Sequence, residues 1–224
     1  KIKYYLKNYN DLIKLKENKL NIRYSENEIL IDGSSEFYIE EDFKNLINFN
    51  IEKNKNNINF ETFFNLQGID LKLSDISYKK TKKNKATLKI KGTENKETIF
   101  FKNISYKEND NKIEINNLKI NNSKILNVDK IRFDYSTESD FKNQITLIKK
   151  NNNFELKGKS FDSMQLIENI SNSEPSKNFF DIFENLNTKI KVNIDEVKLD
   201  QDNIVKKLNG ILEIKKSKIF DLNI

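Results

Sequence analysis

The sequence predicts a mainly β protein: a long, twisted and curved antiparallel sheet (an open β-groove or meander) with one short helix near 162–171. The first observation behind this prediction is the alternation of apolar and polar residues at the strand period in many short segments. The second is that the separators are short runs of Asn, Asp, Lys and Ser. The third is a recurring one-residue interruption of the alternation, which predicts strands that bend.

The alternation gives each predicted strand one apolar face and one charged or amide-rich face. It is clear in the segments 20–24, 58–64, 86–90, 131–135 and 208–214. Such two-faced strands are typical of an antiparallel sheet with water on one side. The spacing from strand to strand is short, so we expect neighbouring hairpins and not parallel βαβ units. Asn tolerates positive φ and replaces Gly in the turns at 108–111 and 150–153.

Four segments follow the pattern apolar-x-apolar-x-x-apolar-x-apolar. Their apolar residues are Leu71, Leu73, Ile76 and Tyr78; Ile99, Phe101, Ile104 and Tyr106; Ile113, Ile115, Leu118 and Ile120; and Val192, Ile194, Val197 and Leu199. Strict alternation would send the second apolar pair to the opposite face. One inserted residue, a β-bulge, returns that pair to the first face and bends the strand. Four strands with the same insertion predict a sheet that curls around an apolar concave side.

One helix is predicted after the longest run of strands. Asp162 is placed to cap it, Gln165 to complete a capping box, and Phe161 and Leu166 to form a hydrophobic staple. The segment 171–178 is polar and holds the only Pro, which predicts a loop. We therefore divide the chain into a β-groove portion at 1–160, a helix and polar loop at 161–178, and a continuing β-groove portion at 179–224. Because it starts without Met and stops inside an alternating run, we expect a piece of a longer protein.

The composition argues against catalysis. The chain has no Cys and no His, which excludes thiol nucleophiles, imidazole acid–base chemistry and the commonest soft metal ligands. No Gly-rich phosphate loop is present. We therefore expect no enzyme activity, no cofactor and no metal. No run approaches the roughly 20 apolar residues that span a bilayer, and no signal peptide is visible.

The net charge of +6 comes from acids and bases that are interleaved along the chain, whereas nucleic-acid binders collect positive charge in patches. The densest basic run, at 79–85, lies between two predicted strands. A solvated loop is the favoured interpretation, and contact with phosphates or anionic headgroups is the alternative. We do not expect nucleic acid as a partner.

Most of the 16 Phe and 8 Tyr residues fall on the same strand faces as Ile and Leu. Two interpretations share this pattern, because a protein core and a groove for acyl chains need the same apolar surface. The sequence leaves open whether the apolar face is sealed by protein or open. If it is a groove, we expect its lipid-contacting residues to be Leu71, Leu73, Ile76, Tyr78, Ile99, Phe101, Ile113, Ile115, Leu118, Ile120, Ile131, Phe133, Ile190, Val192 and Ile194.

The last third of the chain resembles the AsmA-like superfamily, in particular its large YhdP-type envelope proteins. The resemblance lies in the strand at 154–162 with the helix and polar loop after it, and in the alternating strand at 190–194. It also lies in 208–219, which is similar to the family's ending L-x-G-x-L-x-I, turn, strand. The rest of the chain resembles the family by strand pattern only. Asn, Lys and Ile stand where the family usually has Gly, Asp and Leu.

The resemblance implies a periplasmic segment of a Gram-negative cell-envelope protein that takes part in phospholipid transport and outer-membrane biogenesis. Its expected partners are phospholipid and, through parts of the protein outside this sequence, the inner and outer membranes. The family implies an anchor in the inner membrane, also outside this sequence. A different class remains open, namely a structural or adhesive β-rich module that binds protein partners through sheet edges.

Overall fold

A computed structural model describes residues 14–38, 44–73, 76–171, 186–216 and 218–223. The predicted class is confirmed: the protein is mainly β, and the described ranges contain one large open sheet and one short helix, α1 (Met164–Ser171). The strands are β1 (Lys14–Tyr24), β2 (Glu28–Tyr38), β3 (Asn45–Asn54), β4 (Ile58–Asn65), β5 (Leu71–Leu73), β6 (Tyr78–Lys80), β7 (Ala86–Glu94), β8 (Ile99–Glu108), β9 (Asn111–Asn121), β10 (Lys124–Asn127), β11 (Lys130–Ser136), β12 (Lys142–Lys150), β13 (Asn153–Asp162), β14 (Thr188–Lys198), β15 (Ile204–Lys215) and β16 (Lys218–Asn223).

The large sheet has 14 strands, and its strands follow chain order from β1 to β16. Two departures interrupt that order. Strands β5 and β6 leave the sheet and pair with each other, so that β4 and β7 become neighbours. Strand β10 pairs with β9 beside the main path. This arrangement matches the predicted meander of hairpins, because successive strands lie side by side.

One pair of strands corrects the prediction of hairpins throughout. Strands β13 and β14 run parallel, with Phe154 opposite Ile190 and Asp162 opposite Lys198. Parallel neighbours need a crossover connection of a dozen or more residues. The segment from α1 to the start of β14 supplies that length, and the polar loop predicted at 171–178 falls on it. That loop lies mostly outside the described residues.

Three of the four predicted insertions are found. In β8, the register with β7 shifts between Lys91 and Gly92, which leaves Lys102 as the extra residue. In β9, Asn117 has a φ of 54° between Ile115 and Leu118. In β14, Asp195 and Glu196 are both exposed while Ile194 and Val197 on either side are buried. In each strand the insertion keeps both apolar pairs on one face, as the pattern predicted.

The fourth prediction is wrong. Leu71 to Tyr78 is no single bulged strand but the hairpin β5–β6, in which Leu71 lies opposite Lys80 and Leu73 opposite Tyr78. A hairpin, like a bulge, brings two apolar pairs to the same side. The sequence pattern alone therefore does not separate the two structures.

Two glycines lie where a bulge brings a neighbouring backbone close. A Cβ at Gly92 would lie 2.3 Å from the carbonyl oxygen of Phe100, and one at Gly158 would lie 2.3 Å from that of Gln144. Both positions border register shifts, in β8 and in β13. Only a residue without a side chain fits these contacts. The bulges that bend the sheet thus depend on glycine in the neighbouring or bulged strand.

The helix begins as predicted but without the full capping box. The carboxylate of Asp162 accepts a hydrogen bond from the backbone N–H of Met164 at 3.1 Å. The Gln165 side chain does not reach back to the cap and instead donates to Glu168 at 2.7 Å. Leu166 packs against the buried cluster that contains Phe161, so both residues of the predicted staple lie in one apolar cluster.

Candidate functional site: the apolar face of the sheet

The apolar face is best described by a row of residues that lie opposite one another from strand to strand. This row, here called the central row, crosses twelve strands from β1 to β15. It consists of Leu20, Gly33, Phe49, Thr62, Ile90, Ile104, Ile115, Ile131, Leu147, Leu156, Val192 and Gly210. Eleven strand spacings of about 4.8 Å give the row a length of roughly 50 Å. Thr62 is its one residue with a polar side chain.

The central row remains accessible along its whole length. None of its twelve residues is buried: Leu20 is 59% exposed, and the other eleven are half-buried. A close-packed domain core would instead bury most large apolar side chains fully. The row is therefore a continuous apolar strip that no part of the chain within the described ranges seals.

A covered margin runs along one side of the strip, at the strand ends marked by Tyr106, Ile113 and Ile194. All three are buried, and each lies in a row next to the central row. Two elements among the described residues cover this margin. The first is the segment 66–85 with the hairpin β5–β6, here called the cap, whose residues 74 and 75 lie outside the described ranges. The second is α1, which contributes Leu166 to the cluster around Ile194.

The cap is held in place by three tyrosines. The ring of Tyr78 packs edge-on against those of Tyr106 and Tyr135, with centroids 5.7 and 5.2 Å away. The hydroxyl of Tyr78 donates to the carboxylate of Glu108 and lies 2.7 Å from that of Tyr106, which in turn donates to it. The Tyr135 hydroxyl donates to the backbone carbonyl of Ile76. Burial is the main cause that raises the pKa of all three phenols above the usual value.

Two buried charged residues complete the attachment of the cap. Lys80 is fully buried, and its ammonium donates to the carbonyl oxygens of Ile69 at 2.6 Å and Thr81 at 3.1 Å. Burial lowers the pKa of Lys80. Glu108 is 1% exposed and also accepts from Asn84 at 2.7 Å. Because the polar atoms are satisfied, the cap is a fixed wall. The solvated loop predicted over 79–85 is therefore wrong for Lys80.

Most of the predicted groove residues contact one another on the apolar face. Leu71, Ile76, Tyr78, Ile113 and Phe133 belong to the cluster under the cap, and Val192 and Ile194 to the cluster under α1. Phe101, Ile115, Leu118, Ile120, Ile131 and Ile190 form a third cluster with Val128 and Phe154. Ile99 is half-buried next to this cluster in β8, whereas Leu73 is 38% exposed on the cap. Whether any of them contacts lipid stays a prediction.

The structure adds residues that the predicted groove left out. Strands β2 to β4 contribute Ile31, Phe49, Ile51 and Phe60 to the same face, all half-buried. Phe60 packs edge-on against Phe101 with ring centroids 5.9 Å apart, which joins this part of the face to the rest. The alternation of apolar and polar residues in 58–64 was the sequence signal that could have placed Phe60 on this face. The matching register of β2 and β3 was not visible from the sequence.

The opposite face of the sheet is polar and faces the solvent. Glu61 pairs with Lys89 at 2.7 Å and with Lys91 at 3.2 Å, and these hydrogen bonds lower the pKa of its carboxyl. Asp134 likewise pairs with Lys142 at 2.9 Å and with Arg132 at 3.1 Å. Exposed pairs of this kind stabilise a fold by at most about 1 kcal/mol each. Their position shows which face of the sheet is solvated.

Fold and face together define a class: a mainly β protein whose large open sheet has one polar face and, in the described ranges, one long accessible apolar strip. The chain matches no protein-family model, no curated protein and no solved structure. The resemblance to the AsmA-like superfamily therefore stays a prediction from the sequence. In the described ranges, no helix is both long enough and apolar enough to cross a membrane. The same ranges contain no group of three or more acidic side chains placed to hold a metal ion.

Proposed function

We propose that the chain is a segment of an AsmA-like envelope protein that holds phospholipid acyl chains on its central row. The observation that carries the proposal is the continuity of the row: twelve strands in register, with a single polar side chain and no buried residue. Exposure of so long an apolar strip to water does not stabilise the fold, and contiguous apolar surfaces of this kind usually mark a binding site.

Acyl chains fit this surface physically. Each buried methylene group stabilises a complex by about 0.8 kcal/mol, so one chain lying across several strands is retained but still exchangeable. The strip offers no polar group that would fix one position along it, apart from Thr62. Movement along the row is therefore passive sliding over Ile, Leu, Val and Phe side chains. The headgroup stays in water beyond the margins of the strip.

The cellular setting follows from the same proposal. A lipid-holding segment of this family would work in the periplasm, in a protein anchored to the inner membrane, and would pass phospholipid between the inner and outer membranes. Within the segment the proposed role is non-enzymatic, since it needs only an apolar surface and a fixed wall.

Charged substitutions in the strip test the proposal. Phe49→Asp places a carboxylate on the central row, and Asn50→Asp, its matched control, places the same group one residue away on the polar face. We expect Phe49→Asp to weaken binding of a fluorescent fatty-acid probe at least about tenfold, and Asn50→Asp to leave it unchanged. Ile115→Lys repeats the test further along the row. The proposal would be refuted if Phe49→Asp and Ile115→Lys both bound the probe as the unsubstituted protein does, with an unchanged circular dichroism spectrum.

The rival function, binding of protein partners through a sheet edge, is favoured by one observation. Strand β1 is an edge of the described sheet, and its Leu20, Ile22 and Tyr24 are 59%, 60% and 78% exposed. Edge strands with exposed apolar residues are templates for strand addition. Pro substitution at Ile22 would abolish such partner binding and leave uptake of the lipid probe by the rest of the strip intact.

A further inference from the structure

A lysine-rich depression lies at one corner of the sheet, where β14 begins, β15 ends and β16 begins. Its volume is about 840 Å³, within the range of ligand pockets. Four lysines line it, namely Lys189, Lys215, Lys216 and Lys218. This concentration of positive charge contrasts with the interleaved charges elsewhere on the polar face.

The charges in the depression are only partly neutralised. The carboxylate of Glu213 is its one acidic group among the described lining residues, 3.1 Å from the ammonium of Lys215 and 3.8 Å from that of Lys189. The hydrogen bond from Lys215 is the largest cause that lowers the pKa of Glu213, so this carboxyl is ionised at neutral pH. Lys216 and Lys218 are exposed and have no carboxylate partner among the described residues. Four ammonium groups against one carboxylate leave the site cationic.

One backbone hydrogen bond and one aromatic ring shape the depression. The backbone N–H of Lys216 donates to the side-chain oxygen of Asn187 at 2.8 Å, and Lys216 has a φ of 50°. Lys215 lies opposite Lys218 in the pairing of β15 with β16, so the lysines at this end of the two strands are neighbours. Phe220 forms an apolar wall, with the ammonium of Lys215 3.5 Å from its ring centroid. A cationic site with an apolar wall suits an amphiphilic anion better than a bare inorganic ion.

The depression also lies close to the apolar strip. Thr188 and Ile214 line it, and both are buried residues of the strands that carry Val192 and Gly210 of the central row. Thr188 is followed two residues later, on the same strand face, by the apolar Ile190. Two residues along a strand span about 6.6 Å. A lipid whose chain lies on the strip near Ile190 therefore brings its headgroup to this corner.

We propose that this corner binds the phosphate group of an anionic phospholipid headgroup, with Lys216 and Lys218 as its free cationic ligands. The inference rests on the proposed function for the acyl chain and adds the chemistry and the place of the headgroup. Ammonium groups bind phosphate as point charges, and lysines near an anionic lipid surface strengthen binding to it.

The test uses a charge-reversed variant and a matched control. The test variant carries Lys216→Glu and Lys218→Glu, both at exposed positions. The control carries Lys206→Glu and Lys159→Glu, also at exposed positions and with the same change in net charge, but away from the depression. Each protein is titrated with phosphatidylcholine vesicles, with the same vesicles containing phosphatidylglycerol, and with inorganic phosphate.

We expect the test variant to bind the phosphatidylglycerol vesicles at least about tenfold more weakly than the control, and phosphatidylcholine vesicles equally well. An equal loss of affinity for the phosphatidylglycerol vesicles in both variants would show a general effect of net charge and overturn the proposal. Inorganic phosphate that binds as tightly as the anionic vesicles would overturn the assignment to a lipid headgroup. Failure of the acyl-chain proposal is a separate result, because it would abolish uptake of the fatty-acid probe in the unsubstituted protein.

Discussion

The bulge between β7 and β8 allows a quantitative test of how the sheet bends. In Gly92→Ala, the new Cβ would lie 2.3 Å from the carbonyl oxygen of Phe100 and 2.8 Å from Cζ of Phe60. The Phe60 ring is able to turn away, but the carbonyl belongs to the bulged backbone and moves only if the bulge is rearranged. Overpacking of this kind costs about 1–3 kcal/mol. The backbone contact places the expected loss for Gly92→Ala in the upper half of that range.

Urea or thermal unfolding followed by circular dichroism measures this loss. For a chain of this length, about 2 kcal/mol corresponds to a decrease of roughly 4–8 °C in Tm. Lys91→Ala is the control, because it changes the adjacent residue on the polar face and removes only an exposed ion pair with Glu61 at 3.2 Å. Its effect is expected within about 0.5 kcal/mol. A Gly92→Ala variant as stable as the control would refute the close approach at the bulge.

Two further predictions concern the cap. The folded-state pKa values of Tyr78, Tyr106 and Tyr135 are raised, so their contribution to stability is complete below the unfolded pKa of about 10 and is lost as pH rises above it. Titration at 295 nm should therefore show these phenols ionising only together with unfolding; their ionisation in the folded protein would contradict the buried arrangement. Tyr78→Phe should cost about 1–3 kcal/mol in urea unfolding, because Glu108 stays buried and loses a donor. Tyr38→Phe removes a less buried hydrogen bond to Glu36 and should lower the free energy of unfolding by less. Equal losses of stability in Tyr78→Phe and Tyr38→Phe would argue against a special role for the cap.

Much of the fold could be predicted because period-two alternation reports directly which side chains share a face. The insertions at Lys102, Asn117 and Asp195 were visible because each leaves two polar or charged residues between apolar pairs. The start of α1 was visible because Asp162 is a capping residue directly before a run with helical spacing. These signals are local, and they involve neighbours in the sequence.

The parts that could not be predicted depend on contacts between distant segments. In the sequence, part of the cap has the pattern of a bulged strand. Only the structure shows that Tyr78 packs between Tyr106 and Tyr135. The parallel pairing of β13 with β14 depends on the path of the chain after α1. The central row depends on the register of twelve strands, of which the sequence supplies only the alternation.

The lysine-rich corner was hidden for the same reason. Lys189 is well separated from 215–218 in the sequence, and only the pairing of β14 with β15 brings Lys189 opposite Glu213. Along the chain these lysines look like the interleaved surface charges that occur everywhere else. The basic run at 79–85, which did stand out, proved to be partly buried in the cap.

Native mass spectrometry of the protein purified with its bound lipids tests the central claim most directly. We expect a population heavier than the bare chain by the mass of a phospholipid. This population should disappear in Phe49→Asp and persist in Asn50→Asp, since only the first places a charge on the apolar strip. A protein that carries no lipid and takes up none when phospholipid is added, or one whose lipid is unaffected by Phe49→Asp, would contradict the proposal that the central row holds acyl chains.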